Sequence, residues 1–484
     1  MPKINLQNLE KITSNKIFYT LSELAIQANY ELYVVGGFVR DLFLGKEVKD
    51  IDFTIVGDAI KFAEIVAKKF NTKAIIYERF GTALVPIGDL HLEFVGTRKE
   101  VYDANSRNPI VTIGTLKDDI YRRDFTINSL AISLNKSNYG ELIDLLGGIE
   151  DLEKELIRTP LDPIVTYNDD PLRMMRCLRF ASQLNFEIEK PSLDSITTLK
   201  DRIKIISQER ITDEFLKILA SPKPSVGFYH LYNTGLLEII FPEVYNLAGV
   251  DIVSEGSKNF AHKDVFKHTL KVLDNISLET NNIWLRLTAL LHDIAKPKTK
   301  RFIDGIGWTF YGHEEVGARW VKRIFKNLKL PLQNLDYVEK LVRLHQRPMV
   351  LVEDIVSDSA LRRLAAYAGH DLEDLLTLCK ADITTRDKNK VVQYLQNYEV
   401  VKHKILEVQE KDKLREFQSP IRGEEIMDIC SIPPSRLVGY IKTNIEEAIL
   451  EGIIENDYDI AYQYFIQNKD NWISDFQVMI TNKK

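Results

Sequence analysis

Two glycines and two aspartates, set one strand apart, constrain this chain more than any other feature. Val34-Val35-Gly36-Gly37-Phe38-Val39-Arg40-Asp41 is followed by Asp50-Ile51-Asp52. Leu32–Val35 is a short β-rich run that the glycines break, and Phe38, Leu42 and Leu44 give residues 38–44 helical spacing. Glycines at a strand end let a phosphate approach the backbone amides, and the start of the following helix adds partial positive charge. Arg40 falls in the first turn of that helix, within reach of the same phosphate. Ile51–Val56 reads as the next strand. Residues two apart on a strand face the same way, so Asp50 and Asp52 are predicted side by side, with Cα atoms roughly 7 Å apart. Paired carboxylates there suit one or two Mg²⁺ ions whose remaining ligands are water and phosphate oxygens.

Alone, a glycine pair is usually a turn and an Asp-x-Asp a solvated strand end. In this order and spacing they resemble the layout of the polymerase-β-like nucleotidyltransferases. Glu93, in His91-Leu92-Glu93 on a later strand, is the candidate third carboxylate, as base or ligand; an ordinary exposed strand residue is the alternative. Asp58–Phe70 reads as an amphipathic helix with Asp58 at its N-cap. Further strands are expected at 74–77, 82–87 and 90–96. From about residue 150 the pattern turns helical, with Arg173–Leu184 and Ile211–Ala220 the plainest cases.

Two more charged motifs follow. Arg122-Arg123-Asp124-Phe125-Thr126-Ile127-Asn128 pairs phosphate-gripping cations with an acceptor for a ribose hydroxyl; the alternative is a helix cap at Asp124 with solvated arginines. In Asp169-Asp170-Pro171-Leu172-Arg173-Met174-Met175-Arg176-Cys177-Leu178-Arg179, Asp170 and Arg173 are three apart and so neighbours on a helix face. A carboxylate beside a guanidinium can match the hydrogen-bonding edge of a base. Arg176 and Arg179 continue that face, and the alternative is an amphipathic helix with a charged outer side.

These strings, with Asp144-Leu145-Leu146-Gly147-Gly148 and Gln208-Glu209-Arg210-Ile211-Thr212-Asp213-Glu214, resemble in order and spacing the bacterial class II tRNA nucleotidyltransferases and their poly(A) polymerase relatives over about residues 20–245. The resemblance implies Asp50 and Asp52 as metal ligands, Gly36, Gly37 and Arg40 at the triphosphate, and Arg123 and Asp124 at the ribose. It implies Asp170 and Arg173 as a protein template for CTP or ATP, supported by Arg176 and Arg179. One departure is Asp169, where the family usually has Glu.

A separate constellation comes later: His268, His292-Asp293, His313, His345 and Asp382, on successive predicted helices. Imidazole and carboxylate together suit Fe, Mn, Ni or Zn, and a two-metal set can activate water for phosphoester hydrolysis. This resembles the HD phosphohydrolases with the longer ligand set; a degenerate, structural HD domain is the alternative. His262 stands just before the pattern. The segment Arg422–Met427 and Ser435–Lys442 resembles the C-terminal helices of the nucleotidyltransferase family, with holding tRNA or plain packing both open.

The expected architecture is therefore an α/β head of polymerase-β-like type followed by all-α neck, body, HD and tail domains. Its expected boundaries are head 1–145, neck and body 146–250, HD domain 251–410 and tail 411–484, with a polar linker near 251–260. The chain's 484 residues are too many for one core. Its start has no apolar stretch, and Ile283–Leu291 is interrupted by Arg286, so neither signal peptide nor membrane partner is expected. Three cysteines without CxxC spacing point to a reducing cytoplasm. The net charge of −6 gives nucleic acid no support, so local basic clusters must carry that case. The expected reaction is addition of CMP and AMP to the tRNA 3′ end. Rivals are CC-adding, A-adding or poly(A) activity, a tRNA-binding HD hydrolase with an inactive head, and a nucleotide phosphohydrolase whose head only senses nucleotide.

Overall fold

The computed structural model describes residues 9–78, 81–101, 110–250, 264–348, 358–384, 389, 392–393, 395–400, 402–404 and 419–481. The polar stretch expected as a linker, His262 and the expected HD–tail boundary lie outside the described residues. The chain divides into two compact units, Met1–Tyr245 and Asn246–Lys484.

The first unit is built on β1 (Glu31–Val35), β2 (Asp50–Val56), β3 (Ile75–Tyr77), β4 (Thr82–Ile87), β5 (Leu90–Gly96), the hairpin β6 (Arg98–Val101) and β7 (Ile110–Ile113), β8 (Ala131–Ser133) and β9 (Leu142–Ile143). Seven of them form one sheet in the order β3-β4-β5-β2-β1-β8-β9. Within this sheet β2 and β5 pair in parallel and the other pairs are antiparallel.

The two-residue period of β2 splits its side chains between the sheet faces. Ile51, Phe53 and Ile55 are buried on one face. Phe53 stacks on Phe94 at 5.0 Å between ring centroids, and Phe62 meets Phe94 edge-on at 5.4 Å. Phe62 belongs to the helix Ala59–Lys69, which starts where expected, with the Asp58 carboxylate accepting from Lys61 N. The other face carries Asp50, Asp52 and Thr54. The register sets Asp50 opposite His91 and Asp52 opposite Glu93, with Val35 on the other side of Asp52.

Beyond the sheet the unit is mostly helical. The helix Leu172–Leu184 is enclosed on nearly all sides: Met174, Met175, Cys177, Leu178 and Ala181 are buried, and so is Arg179. An amphipathic helix with a solvated charged side is thus ruled out.

The second unit holds the helices Val265–Glu279, Ile283–Leu291, His313–Asn327, Leu335–Leu344, Asp358–Ala368 and Leu372–Asp382. Arg286, which breaks the apolar run in the sequence, is buried and donates to the carbonyls of Ser277 and Thr280, where the first of these helices ends. Gly423–Cys430, Arg436–Leu450 and Tyr458–Thr481 close on their own core of Ile421, Ile426, Ile441, Ile445, Ile449, Ala461 and Phe465. Among the described residues, no helix is long and apolar enough to cross a membrane.

Two glycines test this packing. A Cβ on Gly148 would stand 2.4 Å from the Thr126 carbonyl oxygen, which is backbone and cannot swing aside. Gly148→Ala should destabilise by about 1–3 kcal/mol, as overpacking does. Gly439, in the helix Arg436–Leu450, has nothing within 4 Å of its would-be Cβ. Gly439→Ala should be neutral or stabilise by up to about 1 kcal/mol. Urea unfolding of the two variants, followed by circular dichroism, checks the contrast.

Candidate active sites

In the first unit, the carboxylate face of β2 meets the glycine turn at the end of β1. Gly36 has φ 77°, and a Cβ there would lie 2.9 Å from Arg123 Nη1 and 3.5 Å from Asp52 Oδ2. The position demands glycine on conformation and on space. Burial first, and then Glu93, push the Asp52 carboxyl up to about 6 against the opposing effect of Arg123. Two carboxylates on neighbouring strands at one register position repel each other when both are ionised, and a divalent cation between them removes that repulsion. The donor set therefore fits a hard divalent metal.

Asp50 shares the expected face with Asp52 but lies at its open edge. Its side chain is 79% exposed and its Oδ1 lies 2.9 Å from His91 Nδ1. The three head carboxylates do not bring one ligand atom each within 4.8 Å of the others, as each of the two groups of candidate ligands in the second unit does. The reason is position: Asp50 is the first residue of β2, at the open end of the strand. His91 was quoted in the sequence but given no role; its signal was the same alternation that singled out Glu93.

Around this face stands a set of buried ion pairs. Arg40 is buried, donates from Nη1 to Asn128 Oδ1 at 2.7 Å and from Nη2 to Asp41 at 2.7 Å, and lies over the Phe180 ring. Asp124 is buried, accepts from Phe125 N, Asn128 Nδ2 and Arg176 Nε, and so is not a helix cap with free arginines beside it. Burial raises the Asp124 carboxyl, but Arg176, Asn128 and Arg173 outweigh that and hold it at about 2. Arg179 pairs with buried Glu214 at 3.2 Å. Glu214 lies in a motif that carried the family resemblance, yet had no assigned role.

Asp170 and Arg173 correct the expected array. Asp170 lies ahead of the helix in extended conformation, so it shares no helix face with Arg173. Its Oδ1 accepts from Leu172 N, and its Oδ2 pairs with Arg210 at 3.0 Å. Arg173 donates to the carbonyls of Arg122 and Thr166. Pro171 forces the break, since it has no N–H to continue a helix from before it.

In the second unit all six expected residues converge, in two groups: His268, His292 and Asp382, and Asp293, His313 and His345. Asp293 joins them. Its Oδ2 lies 3.2 Å from His292 Nε2 and 3.5 Å from His268 Nε2, while its Oδ1 lies 3.1 Å from His313 Nε2 and 3.8 Å from His345 Nε2. The other ring nitrogens are all engaged: Nδ1 of His292, His313 and His345 against the carbonyls of Ala289, Phe310 and Val342, and that of His268 against Thr384 Oγ1. Nδ1–H donation to a carbonyl fixes the tautomer that leaves Nε2 as a ligand. Burial lowers the His292 imidazole, but Asp293 outweighs it and raises the group to about 9, whereas burial and the His292 charge pull His345 down to about 3. Four inward imidazoles, a shared carboxylate and Asp382 fit a pair of divalent ions. Lys296 Nζ lies 2.6 Å from Asp293 Oδ2.

Known proteins resemble this chain over both units. Three family models match: the poly A polymerase head domain over residues 32–158, the probable RNA and SrmB-binding site of polymerase A over 185–247, and the HD domain over 265–387. A multifunctional CCA protein of Methylococcus capsulatus is 31% identical over 369 residues, covering 73% of this chain and 82% of the relative. The chain belongs to the tRNA nucleotidyltransferase and poly(A) polymerase family. An A-adding tRNA nucleotidyltransferase of Aquifex aeolicus is 34% identical over 63% of this chain, which spans only 35% of that relative's length. A tRNA nucleotidyltransferase solved with a primer tRNA and an incoming ATP analog is 26% identical, with TM-score 0.56, over 79% of this chain and 99% of that one. Family members with a head and an HD domain are generally metal-dependent at both.

The raised Asp52 carboxyl has a consequence for stability. Because its folded value exceeds the ordinary 3.8, the ionised side chain destabilises the fold as pH rises through about 4 to 6, fully so above that window. Asp52→Asn should therefore raise stability by about 1–2 kcal/mol at pH 8 with EDTA present. The gain should disappear below pH 4, and melting curves at the two pH values measure it.

Proposed function

We propose that the first unit adds CMP and AMP to the 3′ end of tRNA, by in-line attack of the terminal 3′-hydroxyl on the α-phosphate of CTP or ATP with release of pyrophosphate. The observation that carries this reading is the meeting of Asp52 and Arg123 at Gly36. It sets a carboxylate and a cation on either side of a turn open to a phosphate. Asp50, Asp52 and Glu93 would hold Mg²⁺, which when bound lowers the hydroxyl pKa and neutralises charge on the phosphate. Gly36 and Gly37 let the triphosphate approach the backbone, with Arg40 behind them. Arg123 and Asp124 face the ribose. Asp170 and Arg173 read the base from opposite sides of the Pro171 break, and Arg176 and Arg179, held by Asp124 and Glu214, support the nucleotide.

A-only addition is the second reading, favoured by relatives of that name at 34% and 36% identity. tRNA ending before the CCA, and tRNA ending in CC, each supplied with CTP and ATP separately and together, separate the two. Incorporation of CMP onto the shorter tRNA supports full CCA addition, and AMP onto the CC end alone supports the A-adding reading. Asp50→Ala or Asp52→Ala should lower incorporation at least a hundredfold. tRNA binding should stay nearly unchanged, because cationic contacts to phosphate dominate affinity. Retention of more than about one part in a hundred of the activity would overturn the head assignment.

We propose that the second unit's six residues would hold two transition-metal ions (Fe, Mn, Ni or Zn), which when bound would supply an activated water for hydrolysis of phosphoesters such as 2′,3′-cyclic nucleotides. His292→Ala with Asp293→Ala should remove bound transition metal and that hydrolysis while CCA addition continues. Mass-spectrometric metal analysis and both assays on the one variant are the check. Wild-type protein purified without transition metal would make the domain structural. The substrate class and three cysteines outside disulfides support a cytoplasmic protein.

A further inference from the structure

Asp119 lies outside every motif position assigned above, yet it is the most enclosed acid at the head site. Its side chain is wholly buried in the first turn of the helix Leu116–Tyr121. One oxygen, Oδ2, takes Arg123 Nη2 at 2.9 Å and Thr54 Oγ1 at 3.2 Å; the other takes Arg122. Thr54 is two residues beyond Asp52 on the same face of β2. A buried charge is kept only when it is fully paired, and the pairs made here tie one guanidinium to the strand that carries Asp52.

The same guanidinium stands close to Asp52. Arg123 Nη1 and Asp52 Oδ2 flank Gly36, and Nη1 donates to the Asn128 carbonyl, while no ion pair joins Arg123 to Asp52. An arginine so near an underprotected carboxylate would pair with it bidentately if free to turn. That pair would compete directly with a divalent cation for Asp52.

We infer that Asp119 is a positioning residue that restrains Arg123 from pairing with Asp52, leaving the Asp52 carboxylate available to a divalent metal and Arg123 directed at the nucleotide. The inference rests on the nucleotidyl-transfer reading of the head. It also explains why an arginine sits beside a metal-binding carboxylate without occupying it.

The test is Mn²⁺ binding by isothermal titration, on full-length protein carrying His292→Ala and Asp293→Ala to silence the second unit. Asp119→Asn keeps the shape and removes the charge. It should weaken Mn²⁺ binding about tenfold, in line with the effect of residues that orient metal ligands. Adding Arg123→Gln should restore most of that loss, which a merely structural Asp119 would not allow, since the second change removes further hydrogen bonds. Arg123→Gln alone, with Asp119 intact, should bind Mn²⁺ at least as tightly as its parent, and this holds even if Asp119→Asn fails to fold. Unchanged binding in Asp119→Asn, a double variant no tighter than the single, or weakened binding in Arg123→Gln alone would each overturn the inference. A parent that binds no Mn²⁺ at the head while transferring nucleotides overturns it as well. Loss of transfer in that parent with Mn²⁺ binding intact would count against the transfer reading alone.

Discussion

Like charges held close together on one face of a sheet are the constraint around which the first unit is arranged. Asp52 and Glu93 share a register position on neighbouring strands, and burial makes their mutual repulsion count. Nothing in the strands themselves relieves it. Relief comes from cations at the rim, and each of these is tethered by a buried acid: Arg123 by Asp119 and Arg176 by Asp124. Such pairs contribute little net stability, because desolvation offsets most of the attraction. They do fix geometry, and removing one partner leaves a buried charge uncompensated.

The second unit solves a similar problem differently. Its acids and imidazoles attract one another, and Asp293 is the shared partner of both groups. Direction there comes from the backbone. Three carbonyls and one hydroxyl take the outer ring nitrogens, so the inner ones turn to the centre. A helix end supplies free carbonyls of this kind, and His292 and His345 each directly follow a helix.

Much of both sites was legible in the residues. The alternation of β2 placed Asp50 and Asp52 on one face because strand geometry has a period of two wherever the strand lies. Asp58 capped its helix because a cap is a local interaction. The six metal-ligand side chains could be gathered by residue type and spacing. Asp170 and Arg173 were misread as a helix-face pair because spacing of three has that meaning only inside a helix, and the helix that holds Arg173 begins only after Pro171, leaving Asp170 outside it. His91, Glu214 and Arg210 were not singled out, since each acts through a partner far away in the chain; Asp119 pairs with Arg123 only four residues on, but its link to Asp52's strand, through Thr54, spans 65 residues.

The sequence by itself thus determined which faces carry charge, where helices and strands begin, and which side chains can ligate a metal. These follow from local periodicity and residue chemistry. Tertiary structure alone decided which cation meets which acid. Asp170 reaches Arg210, Arg179 reaches Glu214 and Asp124 reaches Arg176 across separations of 40, 35 and 52 residues. Coulomb attraction has no sequence register: any of the arginines could neutralise any of the acids, and only the packing of helices such as Leu172–Leu184 and Gln208–Leu219 against each other and their flanking segments selects one partner for each.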